Sequence, residues 1–136
     1  MWKYYNANVL GNNVNDCVVR AISKAEGKSW DKTYRELSDI AQCEGILLDD
    51  VDFVEKYLDK KYKRACHYSK TVGEFAKEFR KGTFLVTMQG HITCIVNGII
   101  YDTFDCSPRR MWCAWEIKSS EKNAGNDCYC RTRDLQ

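Results

Sequence analysis

Apolar positions follow helical spacing over the first part of the chain and strand spacing over the second. Cys17, Val18, Ala21, Ile22 and Ala25 share one face of a helix that opens at Asn15-Asp16, both good N-caps, and stops at Gly27. A second helix is expected from Ser29 to Gly45, with Trp30, Tyr34, Leu37 and Ile40 or Ala41 as its apolar stripe. A third runs from Asp49 to Tyr62, carrying Val51, Val54 and Leu58 inward. Thr71-Val72-Gly73-Glu74 reads as a capping box, opening a fourth helix that turns Val72, Phe75, Ala76 and Phe79 inward and ends by Gly82. The period then changes. Thr83 to Met88 and His91 to Val96 read as strands, Asn97-Gly98 is a strong hairpin signal, and Ile99 to Phe104 returns. Met111 to Lys118 adds another strand, while residues 1–13 read as an irregular lead-in. Helices first and an antiparallel sheet second make an α+β layout.

Length and composition narrow this. A chain of 136 residues with 44% hydrophobic residues, and 4 Trp, 8 Tyr and 5 Phe among them, suffices for one core and excludes a disordered role. Residues 1–118 are read as the domain and 119–136 as a polar tail. Basic and acidic residues number 21 and 19, so a dedicated nucleic-acid binder is not expected. No apolar run reaches the roughly 20 residues of a membrane span. Met1 to Asn6 lacks the apolar core of a secretory signal, so a cytoplasmic location is expected.

Eight cysteines stand at 17, 43, 66, 94, 106, 113, 128 and 130. Without a secretory signal they read as mostly reduced thiols, several of them acting as small core hydrophobes. Paired C-x₂₋₄-C spacing is missing, so no metal site and no cofactor is expected. The basic runs Lys60-Lys61-Tyr62-Lys63-Arg64 and Arg109-Arg110 read as solvated faces, and Trp112 and Trp115 should point to opposite sides of their strand.

The hairpin carries the chemistry. A two-residue turn pairs Val96 with Ile99, Ile95 with Ile100, Cys94 with Tyr101 and Thr93 with Asp102. Side chains alternate, so His91, Thr93 and Ile95 share a face with Ile100, Asp102 and Phe104. His91 and Asp102 become diagonal neighbours, a base with its orienting carboxylate, whereas Asp105 points away. Cys17, in the first turn of the first helix, lies where unpaired N–H groups favour a thiolate and can face an oxyanion. Thiolate, imidazole and carboxylate are what nucleophilic acyl transfer needs.

The strings Asn15-Asp16-Cys17-Val18-Val19-Arg20-Ala21-Ile22, Gly90-His91-Ile92-Thr93 and Gly98-Ile99-Ile100-Tyr101-Asp102-Thr103-Phe104-Asp105 resemble a compact papain-like cysteine peptidase. They are most similar to small peptidase-like proteins of phages and mobile elements, related to the bacteriocin-processing peptidases. The resemblance implies a nucleophile at a helix start (Cys17), a general base on a following strand (His91) and a third member on the next (Asp102). It implies a peptidase or amidase acting on a peptide or protein, in the host cytoplasm if the chain is phage-encoded, with the oligomeric state left open. It also implies a Gln six residues before the nucleophile as second oxyanion donor. Here that place is Gly11, and Asn12 is the first substitute, ahead of Asn13 and Asn15. The alternative is an inactive protein of the same fold that binds a host or phage protein.

Overall fold

The structure, a computed structural model, describes residues 1–12 and 14–118. The expected polar tail, with Cys128 and Cys130, and the candidate Asn13 lie outside the described residues. In chain order the elements are β1 (Trp2–Tyr4), α1 (Cys17–Glu26), α2 (Trp30–Glu44), α3 (Val51–Lys61), β2 (Lys63–Cys66), α4 (Val72–Glu78), β3 (Thr83–Met88), β4 (His91–Val96), β5 (Ile99–Asp102) and β6 (Met111–Ile117). The strands form one sheet in the order β1-β5-β4-β3-β6-β2. No helix among the described residues is long and apolar enough to cross a membrane.

Strand alternation splits the core into two layers. On one face, Leu85, Ile92, Cys94, Cys113 and Trp115 meet Val19 and Ile22 of α1, Leu37 of α2, and Phe53 and Leu58 of α3. On the other, Val86, Met88, Ile95, Ile100 and Ala114 meet Val72, Phe75 and Ala76 of α4. The local signals explain the helices. Ser29 accepts from the Lys32 amide, Asp50 from the Asp52 and Phe53 amides, and Thr71 and Glu74 close a reciprocal capping box. Gly27 and Gly45 end α1 and α2 in left-handed conformation.

The expected hairpin register is found: Cys94 pairs with Tyr101, Ile95 with Ile100 and Val96 with Ile99. Asn97 (φ 51°) and Gly98 (φ 80°) both take positive φ, as a tight primed turn requires. The Asn97 side chain also accepts from the Gly82 amide at 3.0 Å, tying the turn to the start of β3.

Several expectations change. The lead-in holds a strand, because Trp2–Tyr4 pairs parallel with β5, so the sheet is mixed rather than antiparallel. The basic run after α3 enters edge strand β2, where Arg64 grips Asp59 and lies over the Trp115 ring. Trp112 and Trp115 pack on the same layer, not on opposite ones. The reason is a register shift between Val86 and Met88, where Thr87 Oγ1 bonds both the N–H and the carbonyl of Cys113 and resets the alternation of β6. That register sets Cys66 opposite Cys113, and the two form a disulfide, so mostly reduced thiols holds only for Cys17, Cys43, Cys94 and Cys106 among those described.

Ile22 is fully buried at the centre of α1. Its replacement in Ile22→Ala is expected to cost about 2–5 kcal/mol, read as a lower urea midpoint at unchanged slope.

Candidate active site

Cys17 opens α1, and the residue before it shapes its surroundings. Asp16 occupies the N-cap position but makes no side-chain capping bond. Its carboxylate instead pairs with Arg20 and accepts from Trp30 Nε1 at 2.9 Å. The first-turn amides of α1 are therefore not covered by their cap residue, and the positive end of the helix faces the thiol.

The hairpin places the other two residues. His91 Nε2 lies 2.6 Å from Asp102 Oδ2, which leaves Nδ1 as the ring nitrogen available to the Cys17 thiol. Phe104 lies against the His91 ring with centroids 4.8 Å apart. Asp102 is 2% exposed and fully engaged: its side chain accepts from Arg20 at 3.2 Å and from the Thr103 amide at 2.7 Å. Its backbone carbonyl accepts from Trp2 Nε1 and the Tyr5 amide, so the unforeseen β1 pins the strand end that carries it. Asp105 turns away and caps its own turn through the Ser107 amide.

The electrostatics run in one direction. Burial pushes the Cys17 thiol up, but hydrogen bonding to His91 and to the Ile92 backbone, with the charges of His91 and Arg20, brings it below the ordinary thiol value. Burial lowers His91, yet its bonds to Asp102 and Cys17 and the charges of both raise it to about 9. Asp102 feels the same burial and is nevertheless held below the usual carboxylate range by His91. A lowered thiol beside a raised imidazole shifts the pair toward thiolate and imidazolium. The other buried thiols contrast: burial pushes Cys94 and Cys106 up to about 12.

Two cavities flank Cys17. One of about 330 Å³ is lined by Val18, Val54, Met88, Ile92 and Trp112, with Asp49 at its edge. A smaller one of about 270 Å³ is lined by Arg20, His91, Thr103 and Phe104. Asn15 lines both, whereas Asn12 lines neither; Asn12 sits in an exposed loop with its carbonyl held by Asn6. Asn12 is thus not brought to the thiol, because the loop turns it toward Asn6 and leaves Asn15 as the near amide. A larger groove of about 780 Å³, floored by Phe75, Phe79 and Phe84, lies away from Cys17.

One donor set escaped the sequence reading. Cys106 Sγ lies 3.8 Å from Asp102 Oδ2, and with His91 the three ligand atoms fall within 4.8 Å of one another. The His91–Asp102 hydrogen bond and the Arg20 charge on the other Asp102 oxygen compete with a cation there. Arg20 was also missed as a site residue. Its signal was a charge inside the apolar string Val18-Val19-Arg20-Ala21-Ile22, four residues after Asp16. No family model, curated protein or solved structure matches this chain.

Alkylation of Cys17 is expected to persist as pH falls below the ordinary thiol range, since its anion is favoured, with a second inflection near 9 where His91 loses its proton. His91→Ala should move the acid inflection upward and erase the one near 9; rates followed by mass spectrometry against pH check this.

Proposed function

We propose that the protein is a papain-like cysteine hydrolase, a peptidase or amidase, in which Cys17, His91 and Asp102 act as nucleophile, general base and orienting carboxylate. The observation that carries this reading is the His91 ring bonded to the Asp102 carboxylate at 2.6 Å and lining, with the Cys17 thiol, both cavities beside it. In the proposed reaction the thiolate attacks an amide carbon and forms a tetrahedral oxyanion. The Cys17 N–H at the start of α1 is one donor to it, and the Asn15 side chain is the nearer candidate for a second. His91 gives its proton to the leaving amine as the C–N bond breaks, leaving a thioester on Cys17. Water, deprotonated by His91, then hydrolyses the thioester, releasing the acid and restoring the thiol. Asp102 holds the imidazole orientation throughout and offsets its charge.

The resemblance to papain-like peptidases supports the same assignment through the chain order of the three residues. A peptide or protein is the proposed substrate, because an open, largely apolar cleft of about 330 Å³ beside the thiol suits a side chain of an extended acyl chain.

The test is cleavage of a diverse peptide library, with cleavage products and any Cys17 acyl-enzyme detected by mass spectrometry after acid quench. Wild-type protein should cleave, and Cys17→Ala should lower the rate by at least about 10³-fold. Identical product profiles from wild-type and Cys17→Ala protein would overturn the reading, leaving that of a fold that binds a protein partner.

A further inference from the structure

Arg20 is 6% exposed in the middle of α1, between the core residues Val19 and Ala21. A guanidinium so deeply buried is costly unless its donors are paired, and here both terminal nitrogens are. Nη1 pairs with Asp16 and reaches the Val14 carbonyl at 3.4 Å, while Nη2 reaches Asp102 Oδ1 at 3.2 Å. Both carboxylates spend their second oxygen on another ring: Asp16 accepts from Trp30, and Asp102 holds His91. The guanidinium thus spans from the residue before the thiol to the carboxylate behind the imidazole. Those groups sit on separate elements, α1 and the β4–β5 hairpin, which no turn connects.

We propose that Arg20 is a positioning residue for the Cys17–His91 pair: its fork locks the start of α1 to Asp102 and so sets the thiol against the imidazole. This rests on the reading of Cys17 and His91 as nucleophile and base. Arg20 acts through Asp16 and Asp102 and takes no part in bond making. Its charge adds to the effect, since a cation beside the thiolate favours the anion. The other groups facing the thiol do not substitute for it. From its own helix start comes Asp16, from β4 His91, from β5 Asp102, and from across the cleft, before α3, Asp49. Arg109 lies over the Phe104 ring at 5.2 Å, and Cys106 Sγ lies 3.8 Å from Asp102 Oδ2. Arg20 is the cation in this set that bonds to both elements.

The test follows site-resolved iodoacetamide labelling of the full chain against pH, with the exposed thiol of Cys43 as reference in the same sample. Arg20→Met should move the acid limb of Cys17 upward by about one pH unit, so that labelling below the limb falls about tenfold relative to Cys43. Arg20→Lys keeps the charge but cannot fork to both carboxylates, and its limb should fall between those of wild type and Arg20→Met. If Arg20→Met does not fold, the double variant Asp16→Asn/Arg20→Met decides, because it removes the pair together and leaves no lone carboxylate at position 16. A folded variant that melts at lower temperature but keeps the wild-type limb would show a purely structural Arg20 and overturn the proposal. A wild-type Cys17 with no depressed limb would sink the hydrolase reading first. A depressed limb unmoved in every Arg20 variant would sink only the positioning role.

Discussion

Everything at the site depends on the register of one hairpin. Asn97 and Gly98 accept positive φ, the turn closes in two residues, and Val96, Ile95 and Cys94 then pair with Ile99, Ile100 and Tyr101, which puts His91 and Asp102 on one face. A slip of one residue would send His91 and Asp102 to opposite faces. The turn is buttressed from outside as well. A Cβ at Gly98 would come 3.2 Å from the Ala76 carbonyl, so the tip is packed against the end of α4, and Asn97 is bonded to Gly82. The helix layer and the turn therefore agree on the same pairing.

A buried charge chain completes what the register begins. Trp30, Asp16, Arg20, Asp102 and His91 are linked from α2 through α1 to β4 and β5. Such a chain adds little net stability over an apolar core, but removing one member strands a buried charge at a cost of about 3–5 kcal/mol. It acts by penalising every arrangement in which the two halves of the site are out of place. A second network does similar work farther off: Glu26 at the end of α1 gathers Lys28, Lys61 and Tyr62, joining α1 to the end of α3.

What could be read from the sequence divides along the same line. Helix starts, the hairpin and the shared face of His91 and Asp102 were legible because each rests on neighbours within a few residues, such as Thr71 with Glu74 or Asn97 with Gly98. The partners of β1, Arg20 and Cys66 lie far along the chain, and no local pattern names them. Trp2–Tyr4 is a three-residue strand paired in parallel, too short to show alternation. Lys63 and Arg64 look solvated in sequence, as residues of an edge strand do. The facing of Trp112 failed because β6 bulges there, Trp112 and Cys113 together standing opposite Thr87, and the pairing that sets the bulge lies on the neighbouring strand. Asn12 and Asn15 could not be ranked by counting back from Cys17, since the loop path decides which amide returns to the thiol.

The two rims of the sheet have a consequence for how copies of this chain behave in a crowded solution. Among the described residues, β1 borders the sheet with three residues that include Lys3, and β2 with four that begin with Lys63 and Arg64. Short and cationic borders are poor templates for another strand, because docking would have to align like charges for few hydrogen bonds in return. Along these described edges the borders themselves disfavour edge-on stacking of one sheet on the next.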